Sequence, residues 1–119
     1  MTPYVIEKNI TEILKNSRLS SGGMKIRSLK VKLDSSSGLI NIDIVLDPGA
    51  LSPEHRDGLI DDALNSVGVI AYLEEGKWSD VDIEKSGSQV KVHAEGYYDP
   101  AKADTGGGVE KDTGAPPKS

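Results

Sequence analysis

Residues 38–68 read GLINIDIVLDPGALSPEHRDGLIDDALNSVG, and the fold turns on how this stretch divides. Ile40, Ile42, Ile44 and Leu46 alternate with Asn41, Asp43 and Val45, the two-residue period of a strand with one apolar face. Asp47-Pro48-Gly49 stops that strand, because proline has no N–H to give to a ladder and glycine accommodates a turn. Ser52-Pro53-Glu54 then supplies a capping hydroxyl, a proline at the first helical position and an acid near the positive end of the helix dipole. Leu59, Ile60, Ala63, Leu64 and Val67 form an apolar stripe with Gly68 as its stop, so the spacing predicts a helix over 53–67. Two other readings stay open beyond it. The stripe continues through Ile70, Ala71 and Glu74 to Gly76, or Val69–Leu73 forms a short fifth strand.

The strand at 40–46 constrains the one before it. Met24 and Ile26 occupy even positions, whereas Leu29, Val31 and Leu33 occupy odd ones, a change of parity that predicts either a bulge at Arg27-Ser28 or a late strand start. Opposing Leu33 to Ile40 and Val31 to Ile42 joins the apolar faces and sets Lys30 against Asp43 on the wet face. A tighter register that opposes Lys30 to Asn41 joins the same faces without that charge pair. Asp34 to Gly38 is the turn between them.

Further out, Thr2-Pro3 repeats the cap-and-proline start, and Ile6, Ile10, Ile13 and Leu14 recur at helical spacing. This predicts a helix over 3–18, ended by Gly22-Gly23. On the other side, Val81 and Ile83, then Val90, Val92 and Ala94, alternate about Ser86-Gly87 as a hairpin. The expected register aligns Ile83 with Val90, Val81 with Val92, Asp82 with Lys91 and Asp80 with His93. The order is α-β-β-α-β-β. It predicts an α+β, two-layer sandwich, with a mostly antiparallel four-stranded sheet and two helices on one face. Residues 1–98 form one domain in this reading. Residues 99–119, rich in Gly, Pro, Lys and Asp, are expected to be a disordered tail.

Composition narrows the function. Of 119 residues 36% are apolar, Phe is absent and there is one Trp, so the core must be aliphatic. The lack of cysteine excludes disulfides, thiolate nucleophiles and Cys-based zinc sites. No secretory leader or membrane-spanning run is visible, and cytoplasmic localisation is the expectation. Charge is polarised along the chain. Residues 1–33 carry seven Lys/Arg against two acids, and residues 34–98 carry four against thirteen. Net acidity argues against nucleic acid, which asks for a positive footprint.

No catalytic, cofactor or metal motif emerges. His55-Arg56-Asp57 opens a helix with no Gly-rich loop before it, and so reads as a solvated first turn. Asp80, Asp82 and Glu84 share one strand face, but Lys85 stands where a calcium loop needs glycine. A metal-dependent hydrolase built on Asp80, Asp82 and His93 is the third reading. The first is a non-enzymatic protein-interaction or assembly module with a bipolar charge surface, its partner another protein or a second copy. The second is an acidic inhibitor that masks a basic partner surface. The candidate binding residues are the acidic ridge Glu54, Asp57, Asp61 and Asp62, the basic strand residues Lys25, Arg27, Lys30 and Lys32, and the aromatics Trp78 and Tyr98. A head-to-tail contact between the basic strand and the acidic ridge is the sharpest form of the first reading.

Overall fold

The computed structural model of the chain describes residues 2–102. Helix α1 (Pro3–Lys15) and the single turn α2 (Arg18–Ser21) precede strands β1 (Lys25–Leu33) and β2 (Leu39–Asp47). Helix α3 (Pro53–Leu64), the turn α4 (Val67–Ile70) and a 3₁₀ turn at Glu74–Gly76 lead to strands β3 (Asp80–Ser86) and β4 (Gln89–Tyr97). A last helical turn, α5, spans Pro100–Lys102. The four strands form one sheet in the order β1-β2-β4-β3, antiparallel throughout.

Local chemistry explains where the helices start and stop. The Thr2 hydroxyl accepts from the Val5 N–H and the Ser52 hydroxyl from the His55 N–H. Both caps are followed by a proline, which has no N–H that would need an acceptor at the first helical position. The expected helix over 3–18 ends at Lys15, because Ser17 turns its hydroxyl to the Leu19 N–H and caps α2 instead. The expected helix over 53–67 likewise ends at Leu64. Asn65 bonds back to Asp61 through its own N–H and its side chain, and Ser66 opens α4. The fifth strand considered at 69–73 is a helical turn followed by one isolated bridge, Leu73 to Tyr98.

Strand parity sorts the two faces. Ile40, Ile42, Ile44 and Leu46 on β2 and Val90, Val92 and Ala94 on β4 are buried. They pack with Ile6, Ile10, Leu14, Leu19, Leu59, Ile60, Ala63 and Leu64 from the helices. All helical burial therefore falls on one side of the sheet, and the other side is open. The β1–β2 register is the predicted one, with Leu33 opposite Ile40, Val31 opposite Ile42 and Lys30 opposite Asp43. The predicted bulge lies between Ile26 and Ser28.

The β3–β4 hairpin departs from its expected register by two residues. Ile83 lies opposite Val92, Val81 opposite Ala94, Asp82 opposite His93 and Glu84 opposite Lys91. The turn is Gly87-Ser88 rather than Ser86-Gly87. A two-residue hairpin turn with one left-handed residue places it first, and only Gly87 of the two takes positive φ, at 63°. Because the shift is even, every side chain keeps its face.

Beyond Tyr98 the described chain continues to Lys102, and the Asp99 N–H donates to the Tyr72 carbonyl at 2.9 Å. The rest of the expected tail, 103–119, lies outside the described residues. No helix among the described residues is long and apolar enough to cross a membrane.

Candidate functional site: the open face and acidic edge of the sheet

The helix-free face of the sheet carries the polar positions of all four strands. Lys25, Lys30 and Lys32 stand on β1, Asn41 and Asp43 on β2, Lys91, His93 and Glu95 on β4, and Asp80, Asp82 and Glu84 on β3. One row runs Lys30, Asp43, His93, Asp82, and the next runs Lys32, Asn41, Glu95, Asp80. The face is thus basic along one edge strand and acidic along the other.

At its centre His93 is held between two carboxylates. Its Nδ1 lies 2.7 Å from Asp43 Oδ1 and its Nε2 lies 2.8 Å from Glu95 Oε2. Both partners are acceptors only, so both bonds are satisfied when the ring carries two N–H donors, which is the imidazolium. The hydrogen bonds to Glu95 and then Asp43 raise the His93 pKa above its ordinary value. With both ring nitrogens committed, His93 is an electrostatic clasp between β2 and β4. An open cleft of about 500 Å³ spreads over this region, lined in part by Asp43, Val45, Asp82, Glu84, Lys91 and His93. Asp82 lies opposite His93 and Asp80 opposite Glu95, and among the described residues no group of three or more His, Asp or Glu side chains is placed to hold a metal ion.

The remaining sequence-predicted residues separate into distinct environments. Asp57 accepts from Arg56 Nε at 2.9 Å, Asp62 lies 3.7 Å from Arg18, and Asp61 accepts from Asn65 at 3.0 Å. Three of the four ridge acids therefore have local partners, and Glu54 sits in the first turn of α3 near the positive end of its dipole. Arg27 pairs with Asp47 at 3.2 Å, at the bulged end of β1. Trp78 is half-buried and donates its indole N–H to the Leu64 carbonyl at 2.8 Å, which closes the C-terminal end of α3. Tyr98 packs against the core, whereas its neighbour Tyr97 is exposed.

The sequence placed Asp43 only as a partner of Lys30 and did not single out Glu95. Their polar parity on predicted strands was visible, but the adjacency of β2 and β4, separated in the chain by two helices and a strand, was not.

Strand β3 differs from the other three strands. Every one of its residues is exposed, including Val81 at 42% and Ile83 at 36%, although both point to the side on which the helices pack. The helix layer stops short of this edge. Compared with known proteins, the chain matches no family model, no curated protein and no solved structure.

Proposed function

We propose that this chain is a non-enzymatic protein-interaction or assembly module that meets a basic protein surface with the acidic edge of its sheet. The observation that carries the reading is β3. It is an edge strand with Asp80, Asp82 and Glu84 on one face and uncovered Val81 and Ile83 on the other. An edge strand with free backbone groups and aliphatic side chains is a template for strand addition. Its acids select for a positively charged partner and against a second acidic edge. The ridge on α3 supports the reading less, since its acids are largely answered by Arg56, Arg18 and Asn65.

The test is affinity capture of proteins on the full chain from an extract of its native cells. Wild type is compared with Asp80→Asn/Asp82→Asn/Glu84→Gln and with Asp57→Asn/Asp61→Asn/Asp62→Asn, each checked for an unchanged circular dichroism spectrum. The expected result is a partner retained by the wild type and the α3 variant and lost by the β3 variant. Equal capture by the β3 variant overturns the reading.

A further inference from the structure

The two edges of the sheet complement one another in direction, bonding parity and charge, and we infer that β3 of one molecule pairs with β1 of a second copy. The inference rests on the module reading above and names its partner. In the order β1-β2-β4-β3, antiparallel at every step, β1 and β3 run in opposite directions. A copy placed alongside with its helices on the same side therefore presents its β1 antiparallel to β3.

The backbone groups also match. On β1 the Asp34 N–H bonds inward to the Leu39 carbonyl, while the Leu33 N–H points outward and is taken by Glu7 Oε2 at 2.7 Å. Because antiparallel bonding alternates, the N–H and C=O groups of Leu29 and Val31 also point outward. On β3 a two-residue turn closes on the bonded pair Ser86–Gln89, which leaves the groups of Val81, Ile83 and Lys85 outward. Both free edges thus offer backbone groups from residues whose side chains lie on the helix side. Bonded pairs between them align the two helix sides and the two open faces together.

One register joins direction, bonding parity and charge over residues 80–83. Val81 opposite Val31 and Ile83 opposite Leu29 places Asp80 against Lys32 and Asp82 against Lys30 on the open face. The Leu33 N–H stays with Glu7 and is not asked to move. The lysines that fend off a like edge are thereby answered by the acids of an unlike one. Helix α1 packs closest to β1, so it arrives with the incoming copy over the strip where Val81 and Ile83 are exposed. Pairing of β3 with itself is disfavoured, since centring on Ile83 opposes Asp82 to Glu84.

The contact is heterologous and repeats from copy to copy. Light scattering on the purified full chain, from low to high micromolar concentration, should give a mass that rises with concentration at low salt. The mass should fall back toward monomer at about 0.5 M salt, where the Debye length is a few Å. Lys30→Glu/Lys32→Glu and Asp80→Lys/Asp82→Lys should each be monomeric alone, with dissociation constants weakened about tenfold or more. Mixed together they should assemble, because each then faces an opposite edge. Ile83→Pro removes an outward N–H and no bond of the β3–β4 ladder, and should also be monomeric with its fold intact. A wild-type monomer at every concentration and salt overturns the second copy as partner. So does assembly that ignores both charge reversals. If the chain is monomeric and the β3 acids still capture another protein from extract, this inference falls and the module reading stands.

Discussion

Replacing Gly96 with alanine tests how the β4 end of the core is closed. Gly96 lies on the buried face of β4 opposite Ile40. A Cβ at that position would stand 2.8 Å from Leu73 Cδ2 and 2.9 Å from Trp78 Cε3. Neither neighbour yields easily. Leu73 is fully buried, and Trp78 is tied through its indole N–H to the Leu64 carbonyl. Overpacking of this kind costs about 1–3 kcal/mol, offset by about 0.4–1 kcal/mol from the narrower unfolded ensemble of alanine. The net is a destabilisation of about 1–2 kcal/mol, or roughly 4–16 °C in Tm for a domain of this size. Urea and thermal unfolding followed by the emission of Trp78, the one tryptophan in the chain, reads both stability and the state of that ring. In a Leu73→Ala background the same substitution should cost less, since one of the two obstructing atoms is gone, giving a coupling of at least ~0.5 kcal/mol. A Gly96→Ala protein as stable as wild type, or strictly additive costs in the double variant, refutes this account of Gly96.

Two further outcomes follow from the same geometry. His93 has a raised folded-state pKa, so its contribution to stability is complete below the ordinary value of 6.5 and is lost as pH rises through the higher folded value. The denaturation midpoint of wild type should therefore decline as pH rises above 6.5 and then level off. His93→Gln should flatten that slope, and a wild-type slope of the opposite sign over this window would contradict it. Ser52→Ala removes the hydroxyl that accepts from the His55 N–H at 3.2 Å and should destabilise by about 1 kcal/mol in urea titration. Ser52→Asn should restore most of it.

Much of the fold was legible because it rests on periodicity and on punctuation. The alternation of β2 and the Ser52-Pro53 start each have one physical reading, and the parity change at Arg27-Ser28 has two, of which the structure contains the bulge. Less legible was any feature decided by a competition among short-range hydrogen bonds. Ser17, Asn65 and Ser66 end two expected helices early and lead into a separate short turn after each, because they bond nearby backbone or side-chain groups, or open a new turn, and do not extend the stripe. The hairpin register failed for a related reason. Ser86-Gly87 and Gly87-Ser88 both contain a glycine, and only the demand that the left-handed residue come first separates them. The candidate site was half legible. The lysines of β1 and the acids of β3 are local patterns, whereas the His93 clasp needs β4 to insert between β2 and β3.

That insertion also changes where the charge polarity of the chain resides. Along the sequence the contrast is between a basic first third and an acidic remainder, which invited a pairing of the strand at 24–33 with the ridge at 54–62. In the folded chain three of the four ridge acids face Arg56, Arg18 and Asn65, and part of the acidity of β2 and β4 is absorbed by His93. The carboxylates of Asp80, Asp82 and Glu84 are set on the last strand of the sheet, and their nearest cross-strand basic groups are His93 and Lys91 on one side only. Strand β1 is the mirror case, with Lys30 and Lys32 exposed and a single flanking strand that offers Asp43 and Asn41. An interior strand shares its charges with two neighbours and an edge strand with one. Within the sheet, the charge with least cross-strand compensation therefore lies on the two edge strands, with opposite signs. Had β3 and β4 exchanged places in the sheet, the same residues would have put the acids beside Asp43 in the interior and left Lys91 and His93 at the rim. The strand order, more than the composition, makes the two edges complementary.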